Sequence, residues 1–166
     1  NSMITGLTVY NGSLYMSTMN ATNGADVCRY EFSTRDDASG NPPTLWSSVV
    51  SAAGTIVLGG TSSIHTVPSM AVYNGRLYIG TEKPNGAEIY QYIDGNQWSK
   101  LNTTAGTIAA GGTANIDKVT TLISYNGSLY AGSSDNDPTA ATGAEIYTYT
   151  NITDQSYALK FHASSL

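Results

Sequence analysis

Short runs of alternating apolar and polar residues dominate this chain, and the turn residues Asn-Gly separate two such runs in three places. Asn-Gly between alternating apolar runs is the strongest short-range hairpin signal, because both turn positions need positive φ, which Asn tolerates and Gly adopts freely. The pattern therefore predicts three β-hairpins with type I′ turns. The predicted turns are Asn11-Gly12, Asn74-Gly75 and Asn126-Gly127.

The middle hairpin is apolar on both faces. A two-residue loop at 74–75 determines which residues of the two strands lie opposite one another, and opposed residues share a face. One face consists of Met70, Val72, Leu77 and Ile79, and the other carries Ala71, Tyr73 and Tyr78. Strands that are buried on both sides have this composition. We therefore expect other elements to cover both faces of this hairpin.

Two further turn signals extend the hairpin to four strands. Pro-Asn-Gly at 84–86 precedes a predicted strand over 87–93, and Asp-Gly-Asn at 94–96 precedes a predicted strand that begins at Trp98. All of these connections are short, and short connections join antiparallel neighbours. The pattern therefore predicts a four-stranded antiparallel meander.

The rest of the chain repeats this meander at a period of about 50 residues, which is typical of repeat architectures. YNGSLY occurs at Tyr10 and Tyr125, where the middle copy has YNGRLY. GAEIY occurs at Gly86 and Gly143, and its counterpart in the first copy is GADVC. The joining segment AGTIVLGGTSSIHTV is repeated as AGTIAAGGTANIDKV. We therefore expect three copies of one structural unit.

The stretch LYIGT…AEIYQYIDGNQWSKL resembles a blade of the kelch-like β-propeller repeat proteins. The kelch pattern has a strand that ends in glycines, a third strand with Tyr, a turn, and a fourth strand that opens with Trp. The likeness covers nearly the whole chain in three copies and extends to the tandem blades of bacterial secreted and surface proteins. The kelch double glycine is replaced here by Ser17-Thr18, Gly80-Thr81 and Gly132-Ser133. Propellers include lectins, binding scaffolds and enzymes, so the resemblance implies an architecture and no single function.

We predict an all-β fold of three tandem four-stranded antiparallel propeller-type blades, forming a partial propeller or one completed by oligomerisation. Residues 1–166 are interpreted as a single repeat domain. Blade one spans 4–51, blade two 67–104 and blade three 119–161, and the joining segments are 53–66 and 105–118. Trp46, Trp98 and Tyr157 are expected at equivalent places on the outermost strands of these blades.

The number of blades predicts association. Propellers close with about four to eight blades, and an unclosed stack leaves an apolar blade face at each end. The AGTI…GG joint lies between successive blades and occurs twice. We therefore expect the chain to associate with itself or with further blades of a longer chain, most simply as a ring closed by two copies.

Composition and charge narrow the range of other partners. Charged residues make up 11% of the chain, the net charge is −5 and the pI is about 4.7. An acidic chain repels a nucleic-acid backbone, so no nucleic-acid partner is expected. No apolar run approaches the roughly 18 residues of a membrane span, so no membrane insertion is expected. The composition favours an extracellular, cell-surface or virion location.

Isolated reactive side chains suggest little chemistry. Cys28 is the one cysteine, and its alignment with Tyr90 and Tyr147 favours a buried apolar sulfur over a reactive thiol. His65 aligns with Asp117, which favours a solvated loop position over a metal ligand. The sequence contains no GxSxG nucleophile elbow.

A carboxylate recurs at the start of each predicted third strand, as Asp26, Glu88 and Glu145. On one interpretation these three side chains surround a channel and bind a cation or sugar hydroxyls. On the other, each caps a turn or accepts backbone N–H bonds where its strand begins. Repetition in every blade favours the structural interpretation, because unique chemistry usually breaks the symmetry of a repeat.

A second candidate site lies in the enlarged loop of the third repeat, which contains Asp135, Asn136 and Asp137. Clustered carboxylate and amide oxygens are ligands that Ca²⁺ accepts, although that ion needs about six to eight of them and no EF-hand pattern is present. Asp and Asn also cap turns frequently, which is the alternative interpretation. No other cofactor is expected.

Three functional hypotheses follow from the sequence. The leading one is a non-catalytic interaction module that binds a glycan or a protein through its inter-strand loops. The second is a structural or adhesive segment of a larger surface or virion protein. The third is a fragment of a propeller enzyme. Nucleophile–base pairs are poorly supported, whereas a carboxylate pair for general acid–base chemistry stays open, because the sequence does not show which acids meet in space.

Overall fold

The computed structural model describes residues 1–31, 45–102, 104–109, 112–135 and 144–149, together with the backbone of 159–162. These residues form twelve β-strands and no helix, which confirms the predicted all-β class. The part of the chain that is described therefore includes no helix able to cross a membrane.

The strands form three successive antiparallel meanders. The first meander consists of β1 (Met3–Tyr10), β2 (Ser13–Met19), β3 (Val27–Tyr30) and β4 (Trp46–Ser48). The second consists of β5 (Thr66–Tyr73), β6 (Arg76–Glu82), β7 (Ile89–Asp94) and β8 (Gln97–Lys100). The third consists of β9 (Lys118–Tyr125), β10 (Ser128–Ser134), β11 (Ile146–Tyr149) and β12 (Leu159–His162).

Single residue pairs connect the meanders into one open antiparallel sheet. Met19 of β2 pairs with Thr66 of β5, and Glu82 of β6 pairs with Lys118 of β9. The strand order along the connected path is β12-β11-β10-β9-β6-β5-β2-β3-β4; in addition, β1 pairs with β2, β7 pairs with β6, and β8 pairs with β7. An ion pair reinforces the second connection, since the Lys118 Nζ lies 3.1 Å from the Glu82 Oε2.

The hairpin turns have the predicted conformation. Asn74 and Gly75 have φ values of 46° and 66°, and the register places Val72 opposite Leu77. The equivalent Asn-Gly pairs at 11–12 and 126–127 also have positive φ at both positions. The type I′ prediction is therefore confirmed for all three hairpins, because positive φ at both central residues defines that turn.

Replacement of Gly75 by Val is expected to lower the free energy of unfolding by about 1–2 kcal/mol. A Cβ built on Gly75 meets no atom within 4 Å, so the loss comes from the backbone conformation alone. Gly75→Asn is the matched control and is expected to lose less, because Asn tolerates positive φ. Chemical denaturation measures both, and a neutral Gly75→Val variant would contradict the turn assignment.

The two faces of a meander pack against different neighbours. We call the side turned toward the preceding meander its front face and the side turned toward the following meander its back face. One buried cluster joins the back face of the first meander, including Tyr15 and Val27, to the front face of the second, including Leu77 and Ile79. A second cluster joins the back face of the second meander to the front face of the third. Both faces of the β5–β6 hairpin are therefore covered, as its composition predicts.

The two joining segments are part of the core. Ile56 and Ile64 of the first segment are fully buried, and Ile108 and Ile116 hold the same places in the second. The segment approaches the first meander so closely that a Cβ on Gly24 would lie 2.4 Å from the Gly54 Cα. A substitution at Gly24 would therefore force two backbones apart.

The first strands of successive meanders are tied to one another by hydroxyl groups. Thr5 Oγ1 donates a hydrogen bond to the Val67 carbonyl at 2.6 Å, and Ser69 Oγ donates one to the Val119 carbonyl at 2.9 Å. Val67 and Val119 occupy the same place in successive copies of the joining segment. The second meander thus packs on the first in the way that the third packs on the second.

Candidate functional site

The carboxylate of Glu88 lies inside the protein, just before β7. Its side chain is fully buried. Thr61 Oγ1 donates a hydrogen bond to Oε1 at 2.9 Å, and Lys100 Nζ donates one to the same oxygen at 3.0 Å. Tyr90 donates its hydroxyl to the other carboxylate oxygen. The carboxylate therefore connects the joining segment, β7 and β8.

Glu145 repeats this arrangement before β11. Thr113 Oγ1 donates a hydrogen bond to its Oε1 at 2.6 Å, and the Tyr147 hydroxyl donates to its Oε2. Thr113 holds the place in the second joining segment that Thr61 holds in the first. The two glutamates thus anchor the joining segments to the third strands that follow them.

Asp26 has a different environment. It is half-buried and accepts a hydrogen bond from Ser48 Oγ at 2.7 Å. Ser48 lies opposite Cys28 in β3, as Lys100 lies opposite Tyr90 in β7. The three carboxylates are therefore held by separate local partners, one set in each meander.

Burial and the neighbouring carboxylates raise the pKa of two tyrosines and of the cysteine, which favours their protonated forms. Burial first, and then the hydrogen bond to Glu88, raises the pKa of Tyr90. The same causes raise the pKa of Tyr147 beside Glu145. Burial and the charge of Asp26 raise the pKa of Cys28 to about 12. Cys28 is free and buried, which agrees with the prediction of an unreactive sulfur.

The sequence interpretation missed the two threonines that bind these glutamates. The signal was present, because Thr61 and Thr113 stand at the same place in the two copies of the joining segment. Threonine is also common in polar loops, so its presence alone does not indicate a structural role. Its role appears only when the folded segment is placed beside the third strand.

The predicted metal site is described in part. Asp135 is half-buried at the end of β10, whereas Asn136 and Asp137 lie outside the described residues, as does Tyr157. Among the side chains that are described, no three of the His, Cys, Asp and Glu residues are grouped so as to hold a metal ion.

A polar groove lies where the first joining segment meets the β2–β3 connection. It is lined by residues 21–24 and 53–55 and by Ser62, Ser63 and His65. Uncharged hydroxyl and amide groups dominate this lining. His65 is half-buried and its imidazole has no hydrogen bond to any described residue. The groove therefore combines unused polar groups with one aromatic ring.

The repeat symmetry breaks at this groove. Asp117 stands in the second joining segment where His65 stands in the first, and its Oδ1 accepts a hydrogen bond from the Asn85 backbone N–H at 2.5 Å. Asn23 is the equivalent of Asn85, and its N–H bonds to Asn20 Oδ1 instead. The first copy thus has a half-buried ring in the lining of the groove where the second copy has an internal hydrogen bond.

Comparison of the chain with protein-family models, curated proteins and solved structures finds no match.

Proposed function

We propose that this chain is a non-catalytic interaction module of three kelch-like, propeller-type blades, and that the polar groove at His65 binds a glycan. The observation that carries the proposal is the broken symmetry at His65. Unique chemistry is expected where copies of a repeated segment differ, and the difference between His65 and Asp117 lies in a concave surface made by inter-strand loops.

The lining of the groove matches the chemistry of a sugar. Sugar hydroxyls donate and accept hydrogen bonds without carrying charge, and Thr22, Asn23 and Ser62 offer groups of the same kind. The imidazole of His65 adds a flat ring on which one face of a pyranose can rest. The side chains of the described lining carry no lysine, arginine or carboxylate, and the neighbouring Lys83 ammonium is already bound to the Ser62 carbonyl, so an uncharged ligand is favoured.

We propose a non-catalytic function because the two repeated glutamates already accept hydrogen bonds from neighbouring side chains. A glycoside hydrolase needs two carboxylates that flank one bond, with the pair separated by about 5 to 10 Å. Glu88 and Glu145 are each bound by a tyrosine and a threonine in separate meanders. Their observed contacts support the structural interpretation of the repeated acidic position.

The test is a glycan array followed by titration of the best ligand. Replacement of His65 by Asp, which gives the groove the side chain of the second repeat, is expected to weaken binding at least about tenfold, equivalent to about 1.4 kcal/mol. Gln97→Ala is the matched control, because Gln97 is exposed on β8 and does not line the groove. An array without binders, or a ligand that His65→Asp binds equally well, would contradict the proposal.

A second candidate function is that of a structural or adhesive segment. It is favoured by large apolar side chains that remain exposed on the first and third meanders, including Leu7, Val9, Ile123 and Tyr125. Exposed apolar faces of this kind are typical of protein contacts. These faces are separate from the groove at His65.

A further inference from the structure

The back face of the third meander is exposed, although its equivalent in the second meander is buried. Ala71, Tyr73 and Tyr78 of the second meander are covered by the third. Their equivalents are Ile123, Tyr125 and Tyr130, and Ile123 and Tyr125 are 56% and 69% exposed. These side chains line a shallow apolar depression together with Thr121, Gly132 and Ile146. The back face is thus covered in the first and second meanders and exposed in the third.

The front face of the first meander is the opposite half of the same interface. In the second meander, Met70 and Val72 of this face pack into the first buried cluster. Their equivalents in the first meander are Leu7 and Val9, which are 60% and 66% exposed. The first and third meanders therefore expose two different apolar faces, which correspond to the two halves of each internal interface.

A contact of three tyrosines marks both internal interfaces. Tyr10 and Tyr15 on the first back face lie 6.0 and 5.8 Å from Tyr92 on the second front face, measured between ring centroids. The next interface repeats the contact at 6.1 and 6.3 Å, between the pair Tyr73 and Tyr78 and the ring of Tyr149.

The third back face holds the first two rings of this contact. Tyr125 and Tyr130 lie 6.4 Å apart, and no third tyrosine is found against them among the described residues. Tyr30 on the first front face is the equivalent of Tyr92 and Tyr149, because it pairs with Trp46 across β3 and β4 as Tyr92 pairs with Trp98 across β7 and β8. Tyr30, in the first meander, is thus the tyrosine that corresponds to the third ring of this contact.

We propose that the back face of the third meander binds the front face of the first meander of a second copy of this chain, with Tyr30 of the second copy completing the contact with Tyr125 and Tyr130. The occupant is a second copy because every copy carries both halves of the interface. The central side chains are also uncharged on both faces, so no desolvated charge opposes the contact. The proposal is independent of ligand binding in the groove.

The contact is head-to-tail, so its two halves differ. Such contacts form rings where the rotation between copies closes, and open chains of molecules where it does not. Two copies supply six meanders, which lies within the range of about four to eight blades in closed propellers. A closed pair would cover both exposed faces of each copy at once.

The experiment is sedimentation velocity of the purified chain over a range of concentrations. The wild type is expected to exceed the mass of 17.4 kDa, while Ile123→Asp and Val9→Asp each weaken association at least about tenfold, equivalent to about 1.4 kcal/mol. Leu58→Asp is the matched control, because Leu58 is 92% exposed in the first joining segment and lies on neither face. All three substitutions are at exposed positions, and circular dichroism checks that each variant is folded.

Mixing the two weakened variants tests the direction of the contact. Ile123→Asp keeps an intact front face and Val9→Asp keeps an intact back face, so the mixture is expected to form a one-to-one complex although neither variant associates alone. A wild type that stays monomeric, a contact that Val9→Asp does not affect, or a mixture that remains monomeric would each overturn the proposal. The second of these outcomes would indicate back-to-back pairing.

Discussion

Trp98→Ala is expected to lower the free energy of unfolding by about 3–5 kcal/mol, the range for removal of a large buried aromatic side chain. The ring belongs to the buried cluster between the first two meanders and lies 4.8 Å from the ring of Tyr92. Its Nε1–H also donates a hydrogen bond to the Val49 carbonyl at 2.7 Å. The truncation therefore leaves a cavity and an unpaired acceptor at one interface.

Trp98→Phe separates these two contributions. Phenylalanine keeps much of the ring but has no donor for Val49, so its loss should be about 1–2 kcal/mol. Urea denaturation followed by circular dichroism measures both variants. A loss well under about 1 kcal/mol for Trp98→Ala would mean that the indole does not hold the first two meanders together.

Glu88→Ala is expected to lower the free energy of unfolding by about 2–4 kcal/mol, because a buried donor that loses its acceptor costs about 1–3 kcal/mol. The substitution removes the acceptor of the Tyr90 and Thr61 hydroxyls and of the Lys100 ammonium, whose side chain is 33% exposed. It also frees the first joining segment at Thr61. Faster amide hydrogen exchange over 53–66 is therefore expected with the loss of stability.

Asp26→Ala is the matched control at the equivalent position. Asp26 is half-buried and accepts a side-chain hydrogen bond from Ser48, so its removal should cost about 0.5–1.5 kcal/mol. Equal losses at the two positions would contradict the anchoring role of Glu88.

The stability of the folded chain is also expected to fall at high pH because of Tyr90. Its pKa is raised in the folded chain, so the contribution of Tyr90 to stability is complete below the ordinary tyrosine pKa of about 10 and declines at higher pH.

The prediction of local structure was most successful where one residue pair decides the backbone. Asn-Gly turns need positive φ at both positions, and no tertiary contact is required to recognise them. The register that follows from the turn at 74–75 is observed, with Met70 opposite Ile79. Packing on both faces of that hairpin was also predictable, because both faces are apolar. The tertiary connection of the meanders into one sheet depends on single pairs such as Met19 with Thr66, which no pattern marks.

The carboxylates show why a repeated residue does not reveal its role. Asp26, Glu88 and Glu145 align in the sequence, yet Glu88 is buried against a lysine and Asp26 is half-exposed beside a serine. The difference arises from residues on other strands and in the joining segments, which the spacing of the acids does not identify. A carboxylate that binds a ligand and one that anchors a loop can occur in the same sequence pattern.

The sequence by itself determined the all-β class, the three hairpins and the repeated unit, since these depend on local backbone preferences and on alternation along one strand. Only the tertiary structure decided which faces are covered. Tyr78 and Tyr130 stand at the same place in YNGRLY and YNGSLY, and one is fully buried while the other is half-exposed. Burial depends on whether another meander lies against the face, and that is a property of the assembled chain rather than of the repeat.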